Sequence, residues 1–396
     1  MIKKIALLTS SYHPYYKGGG EYSVKDLAEK LTKKGIDTTV ITVFHRFERE
    51  TINGVKVIRV PHPNIYWSYE SESQPAYKKL IWHTLEGYNR KVKSVLLPVL
   101  KEISPDVLHI RNTEDFSPYA CKVAKSLDIP VVVTLNSCTW LCPRGTMFKN
   151  GKNCGNQCLS CKLITYPKKI LSKYVDAVVG VSRFTLEEHI KYGYFRDSIH
   201  NVVYTSTTPQ PIGLPIEKAS SLTFGYIGRV HPTKGVAEVI RAFRAAAVPQ
   251  NKLYIAGDGP EDYYSFCQEL AEGVDNITFL GKTKPQEFYP LIDIAIINSL
   301  FHEPFPRVLV EAYAFGRPVI ASNTGGTSEM VADDKTGWVF DPFSPNQLEH
   351  NIRKSAKLDV SDLVKIQENT QLFINSHLRS DVDQYLGIYE SVLSDK

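Results

Sequence analysis

Two doubly wound α/β domains, each a parallel sheet wrapped by helices and the two facing each other across a cleft, are predicted from three observations. The chain has 396 residues, too many for one ordinary core and suited to two domains of about 150–200 residues. Apolar strand-like runs alternate with amphipathic helical stretches in both halves, the grammar of parallel sheets with crossover helices. Between the halves, residues 206–222 (STTPQPIGLPIEKASSL) are rich in Pro and Ser and lack periodicity, which reads as a linker. The expected domains are 1–205 and 206–382. A cysteine-rich insert falls at 138–161, and a last helix, about 383–396, is expected to return to the N-terminal domain.

The first half opens with an apolar run at 4–10, the loop SYHPYYKGGGE, a helical pattern at about 22–34 and a second strand at 38–43, a right-handed βαβ unit. Gly18, Gly19 and Gly20 are either a plain loop or a backbone that a ligand can approach closely, since no acidic residue completes a dinucleotide fingerprint. A long amphipathic helix is expected near 80–103, strands at 107–110 and 131–135 with a helix near 118–126 between them, and after the insert a strand at 177–181. A short helix follows Ser182, and the last strand of this half is expected at 202–204.

The second half restarts the pattern with a strand at 223–227, a loop to Lys234 and a helix at 235–247. Strands follow at 253–256, ending in GDGP, at 277–280 before Gly281-Lys282, and at 295–297. The stretch NSLFHEPFPRVLVE, residues 298–311, comes next. Its two glutamates are eight positions apart, about 12 Å along a helix, so Glu303 and Glu311 cannot form one close pair within it. Pro306 suits a first helical position, which leaves Glu303 in the preceding loop and Glu311 in the second turn. The early amides of Phe305, Arg307 and Val308 would then favour an anion. A strand at 318–321 and a helical region at 363–393 complete the chain.

Hydrophobic and charged fractions of 43% and 22% are those of a soluble globular protein. No apolar stretch nears the ~20 residues that span a bilayer, and IALLTS is too short for a signal-peptide core, so a cytoplasmic location is expected. The net charge of +5 hides an asymmetry: residues 1–200 hold 30 Lys and Arg against 18 Asp and Glu, and the remainder 17 against 24. The halves carry +12 and −7, and a basic half suits an anionic acceptor or the inner, anionic face of a membrane. Without a basic tail or nucleic-acid motif, nucleic acid is not expected as a partner. Asp381-Val382-Asp383 reads as a solvated face.

In order along the chain, KGGGE (17–21), GVSRF (180–184), GYIGRVHPTKG (225–235), IAGDGP (255–260), FLGK (279–282), EPFPRVLVE (303–311), GRPVIAS (316–322) and GGTSEMV (325–331) resemble retaining glycosyltransferases of family 4 with the GT-B fold. The resemblance covers nearly the whole chain. It implies that Arg229 and Lys234 bind the diphosphate of a UDP- or GDP-sugar, that Glu303 meets the sugar hydroxyls and that Glu311 meets the ribose. It places Phe305, Arg307 and Val308 amides at sugar and phosphate, has Gly257, Gly259, Gly281 and Lys282 frame the nucleoside, and closes Gly18 and Gly19 onto the donor from the other domain. No catalytic metal is implied. The expected acceptor is a glycan or a lipid-linked intermediate of a bacterial surface polysaccharide. The alternatives are a nucleotide-sugar epimerase of the same fold, or a binding module without turnover.

Two departures concern the acceptor side. Where many members read T-L-H-D, this chain has Thr134-Leu135-Asn136-Ser137, and Asn136 can hydrogen-bond but not act as an acid or base, unless His13 substitutes. The family's Asn-Gly after the last strand of the first domain is replaced by Tyr204-Thr205-Ser206. Five of seven cysteines fall within 24 residues, and Cys158-x-x-Cys161 has the spacing of a ligand pair. Asn150, Gly151, Asn153 and Gly155 allow tight turns there. A similar insert in a subset of the family implies a structural zinc on Cys142, Cys154, Cys158 and Cys161, leaving Cys138 over. Free thiols, disulfides or an iron–sulfur centre are the other readings.

Overall fold

The computed structural model describes residues 2–16, 19–205, 221–377 and 381–394, so nearly all of the expected linker lies outside the described residues. The chain divides into two compact units. One comprises Met1–Met147, Gly155–Thr205 and Ser380–Lys396, and the other Phe148–Cys154 and Ser206–Arg379. Part of the insert, residues 148–154, thus counts with the second unit, although the sequence suggested that the whole insert belongs to the first.

In the first unit, β1 (Lys4–Leu8), α1 (Gly19–Lys33), β2 (Asp37–Phe44), β3 (Glu48–Ile52) and β4 (Val55–Pro61) lead to two helices, α2 (Ala76–Gly87) and α3 (Val92–Ile103). Then come β5 (Val107–Ile110), α4 (Tyr119–Lys125) and β6 (Val131–Leu135). The insert supplies a small hairpin of β7 (Phe148–Lys149) and β8 (Lys152–Asn153). The first unit resumes with α5 (Leu159–Leu171), β9 (Ala177–Gly180), α6 (Arg183–Lys191) and β10 (Ile199–Val202). Its sheet runs β10-β9-β6-β5-β1-β2-β4-β3, parallel except for β3. Every residue of β5, β6 and β9 is buried, which explains the unbroken apolar runs VVVTL and AVVG: helices cover both faces of a parallel sheet.

Three local features depart from the expected elements. The helix anticipated at 80–103 is broken between Gly87 and Val92 because Asn89 accepts from the Lys91 amide (3.1 Å) and donates to Pro63 O (3.2 Å). The β3–β4 hairpin had not been anticipated; it turns at Asn53-Gly54, both at positive φ (51° and 83°), and its charged outer strand protects the sheet edge. The helical region expected at 363–393 comprises two helices.

The second unit contains β11 (Thr223–Ile227), α7 (Val236–Ala246), β12 (Lys252–Ala256), α8 (Glu261–Ala271), β13 (Ile277–Gly281) and the one-turn α9 (Pro285–Phe288). It continues through β14 (Ile294–Ile297), α10 (Arg307–Ala314), β15 (Val319–Ser322), β16 (Gly337–Phe340), α11 (Pro345–Ser355) and α12 (Val360–His377). The sheet is wholly parallel in the order β13-β12-β11-β14-β15-β16. Strand order reverses between β11 and β14, and in such sheets ligands bind in the crevice beyond the carboxyl ends at that point.

The last helix, α13 (Asp381–Ser394), belongs to the first unit and inserts Tyr385 and Tyr389 into its core. The Tyr389 hydroxyl lies 2.6 Å from His109 Nδ1, whose Nε2 lies 2.7 Å from Thr134 Oγ1. Arg111 donates to the Tyr385 hydroxyl (2.7 Å) and to Ser23 Oγ on α1 (2.9 Å). Burial, together with the neighbouring Arg111 charge, pushes His109 well below its usual value, so it stays neutral and can accept one hydrogen bond. Among the described residues, no helix is long and apolar enough to cross a membrane.

Candidate functional site

The loops that leave β11 and β14 meet at the strand-order reversal and are joined by backbone and side-chain bonds. Asn298 donates to Gly235 O (2.9 Å), and the Leu300 amide donates to Thr233 O (2.9 Å). Within the first loop, His231 accepts from the Thr233 amide (3.2 Å) and caps the turn Pro232–Lys234. These contacts aim Lys234 at Glu303: its Nζ lies 2.8 Å and 2.7 Å from the two carboxylate oxygens and 5.0 Å from the centre of the Phe301 ring. Ser299 Oγ donates to the same carboxylate. From the other side, the loop after β15 backs the acidic residue. The Gly326 amide donates to Glu303 O (2.8 Å), and a Cβ on Gly325, which has φ of 58°, would stand 2.4 Å from that oxygen.

The two glutamates sit in opposite electrostatic settings. Burial by itself would raise the Glu303 carboxyl, but Lys234 and the hydrogen bonds from Lys234 and Ser299 outweigh it and hold it below the ordinary range. It is therefore ionised at neutral pH and only accepts hydrogen bonds. Glu311, in the second turn of α10, is raised by burial, against which Arg307 at 3.4 Å pulls only partly. Pro306 lies one position before the first helical residue rather than in it, and no side chain caps the helix start. The amides of Arg307 and Val308 thus belong to the first turn, at the positive end of the helix dipole.

Arg229 is exposed, and its side chain makes no ion pair among the described residues. Gly257 and Gly259 have a packing reason of their own, because a Cβ on either would come within 1.8 Å of Gly228 O and Val230 O. Their glycine identity lets the GDGP loop lie against the loop bearing Arg229. Gly281 accepts from the Gly257 amide (2.7 Å), and Lys282 is exposed, 3.9 Å from Asp258. Gly18 lies outside the described residues, and Gly19 is the first residue of α1.

His13 and Asn136 belong to the first unit. His13 Nδ1 pairs with the Tyr16 hydroxyl at 3.0 Å. Asn136 donates to Arg111 O (2.6 Å) beside a cavity of about 40 Å³ lined by Arg111, Thr134 and Trp140. Part of its amide is thus committed to the protein's own backbone. Of the insert cysteines, Cys138 and Cys142 are buried, Cys154 and Cys161 half-buried and Cys158 exposed. Burial and hydrogen bonds with Cys158 and Cys142 push the Cys161 thiol up. Three thiols therefore lie near one another, yet among the described residues no set of three or more His, Cys, Asp or Glu side chains is arranged to hold a metal.

One contact has no counterpart in the sequence reading. Asn153, on the hairpin, donates to Leu300 O (2.9 Å) and accepts from the His302 amide (2.9 Å), a two-point clasp on the loop that carries Glu303. Asn150-Gly151 was legible as the hairpin turn, with both residues at positive φ (52° and 74°), but nothing local indicates where the hairpin lands.

At about 1 kcal/mol for each of its two hydrogen bonds, losing the clasp should speed amide exchange at His302 about thirtyfold in Asn153→Ala, with the strands β11 and β14 unaffected. Asn153→Asp keeps the acceptor and loses the donor, so it should fall between. Exchange unchanged in both variants, measured by hydrogen–deuterium exchange, would show that the hairpin does not hold the loop.

Comparison with known proteins agrees with this architecture. Residues 17–206 match the model for glycosyltransferase family 4 and residues 216–373 that for glycosyl transferases group 1. An uncharacterized 42.6 kDa protein in the cps region of Klebsiella pneumoniae is 30% identical over 82% of this chain and 87% of its own length. An uncharacterized glycosyltransferase of Methanocaldococcus jannaschii is 28% identical over 87% of each. Among solved structures, sucrose-phosphate synthase from Thermosynechococcus elongatus superposes with a TM-score of 0.75 at 18% identity, over the whole of both chains. Anabaena HepE in complex with UDP and glucose superposes at 0.67 and 18%, covering 99% of this chain and all of its own. The chain belongs to the family 4-like glycosyltransferases of GT-B fold.

Proposed function

We propose that this glycosyltransferase moves a hexose from a UDP- or GDP-sugar to a glycan or lipid-linked acceptor, with retention at the anomeric carbon, in the assembly of a bacterial surface polysaccharide. The observation that carries the reading is the Lys234–Glu303 pair, held at the strand-order reversal and followed in the chain by the start of α10. A cation, an ionised carboxylate and the positive end of a helix are what a sugar diphosphate needs: acceptors for its hydroxyls and donors for its phosphates. The Klebsiella relative lies in a cps region, and HepE has been crystallised with UDP-glucose, which favours the same donor and product class.

In this reading Arg229 and Lys234 take up the negative charge that grows on the diphosphate as its bond to the anomeric carbon breaks. The acceptor oxygen bonds to that carbon from the same face, and its proton passes to a phosphate oxygen of the donor, so no protein nucleophile is used. Glu303, kept ionised, accepts from the sugar hydroxyls; Glu311 accepts from the ribose. Lys234 is already paired with Glu303, so the arriving diphosphate shares its ammonium rather than meeting an unpaired one.

A panel of UDP- and GDP-hexoses should raise the melting temperature for the true donor. With that donor, Lys234→Ala and Glu303→Ala should each slow transfer about 10²–10³-fold at a temperature where circular dichroism shows both variants folded, although the unpaired partner lowers the ligand-free melting temperature. Wild-type rates in both variants would refute the assignment, and donor turnover without acceptor would identify an epimerase instead. We further propose that Cys142, Cys154, Cys158 and Cys161 hold a structural zinc. Protein purified without chelator should carry about one zinc per chain by this four-thiolate stoichiometry, and less than about half would count against it.

A further inference from the structure

The largest accumulation of exposed apolar side chains lies far in sequence from the candidate site. Tyr77 and Leu80 on α2, with Leu159, Leu163 and Tyr166 on α5, are each at least 60% exposed. Among the described residues only Leu372 matches them elsewhere. Scattered apolar residues on a surface need no explanation, but five of six on two helices that pack against each other do. The spacing is helical on both: 77, 80, 81, 85 and 88 form one stripe at and just beyond α2, and 159, 163, 166 and 170 one stripe on α5. The inward faces are mixed, Trp82, Glu86 and Gly87 on α2 and Thr165, Lys168 and Leu171 on α5, and the apolar stripes turn out.

The helices are locked together from within. Lys168 Nζ and Glu86 Oε2 are 2.5 Å apart, both almost fully buried, and Lys168 also donates to Thr139 O (2.9 Å). Gly87 lets the end of α2 approach α5, since a Cβ there would stand 3.1 Å from Ile164 O. The outer surface is thus a fixed platform.

Its charge is one-sided. Residues 76–93 and 159–173 contain nine lysines and arginines and a single carboxylate, Glu86, which faces inward onto Lys168. Exposed Lys78, Arg90, Lys91, Lys93, Lys162 and Lys173 lie on or beside the stripes. Leucines and tyrosine rings interleaved with cations, and no exposed acid, match the boundary between anionic headgroups and acyl chains. A second copy of this chain would bring like charges together, which disfavours self-association through the same face.

We infer that the α2–α5 platform seats the protein on an anionic lipid leaflet, its apolar stripes entering the headgroup boundary and its lysines meeting the phosphates. The platform explains where the excess positive charge of residues 1–200 acts. It requires no particular donor or acceptor, so its test is independent of the transfer reaction.

The test is co-sedimentation of the full chain with vesicles of phosphatidylcholine, with and without phosphatidylglycerol. Binding is expected to the anionic vesicles, weakening as salt is raised, and much less to the neutral ones. Leu80→Gln with Leu163→Gln should weaken it at least tenfold at unchanged melting temperature. Lys78→Gln with Lys162→Gln, which leaves the apolar stripes intact, should lose the preference for anionic vesicles. No binding by the wild type, or equal binding by the leucine variant, would overturn the inference. So would a wild-type dimer that the leucine substitutions dissociate, which would assign the face to a second copy.

Discussion

The ion pair between Lys234 and Glu303 is the contact on which the rest of the second unit's site depends. Each partner comes from a loop that leaves a central strand, one after β11 and one after β14, and their positions follow from the strand order. Removing either charge would leave the other half-buried, a more costly state than having neither. The pair also separates the behaviour of the two glutamates. Glu303 is held low by its cation, whereas Glu311, eight residues on, is raised by burial that Arg307 only partly offsets. Two carboxylates eight residues apart with opposite shifts are suited to different tasks.

Around that pair the protein spends backbone contacts rather than bulk. Gly257, Gly259 and Gly325 each allow one loop to touch another at distances a Cβ would forbid, and the side chains of Asn298, Ser322 and Asn153 bridge to the main chain. No one of these bonds contributes more than about 1 kcal/mol, but all act on one short loop, so its geometry is over-determined before a ligand arrives. The first unit uses the same economy in its core. α13 is fixed through Tyr385 and Tyr389 to Arg111 and neutral His109, a buried polar network in which burial and hydrogen bonding agree.

Much of this was legible in the amino-acid sequence because it depends on local rules. Apolar runs such as VVVTL mark strands covered on both faces, and Pro306 marks the start of α10 to within one residue. Glu303 and Glu311 could be separated into loop and helix from spacing alone. What escaped is non-local or small. The break at 88–91 depends on one asparagine side chain and on the approach of α5, which no helical periodicity encodes. The edge strand β3 reads as polar because it faces solvent. The commitment of Asn136 to Arg111 O, and of Asn153 to the Glu303 loop, are tertiary contacts 25 and 147 to 149 residues apart in sequence. The exposed stripes of α2 and α5 hid for a further reason: an apolar residue at helical spacing is ordinarily read as core, and only accessibility reveals that these stripes are uncovered among the described residues.

The central claim, that Lys234 holds Glu303 ionised in the ligand-free site, is tested most directly by a carboxyl-carbon NMR titration of Glu303 in the wild type and in Lys234→Met. The wild-type midpoint should lie below the ordinary glutamate value of about 4.3, and in the variant, where only the Ser299 hydrogen bond still opposes burial, it should rise. An ordinary midpoint that is the same in both proteins would contradict the account.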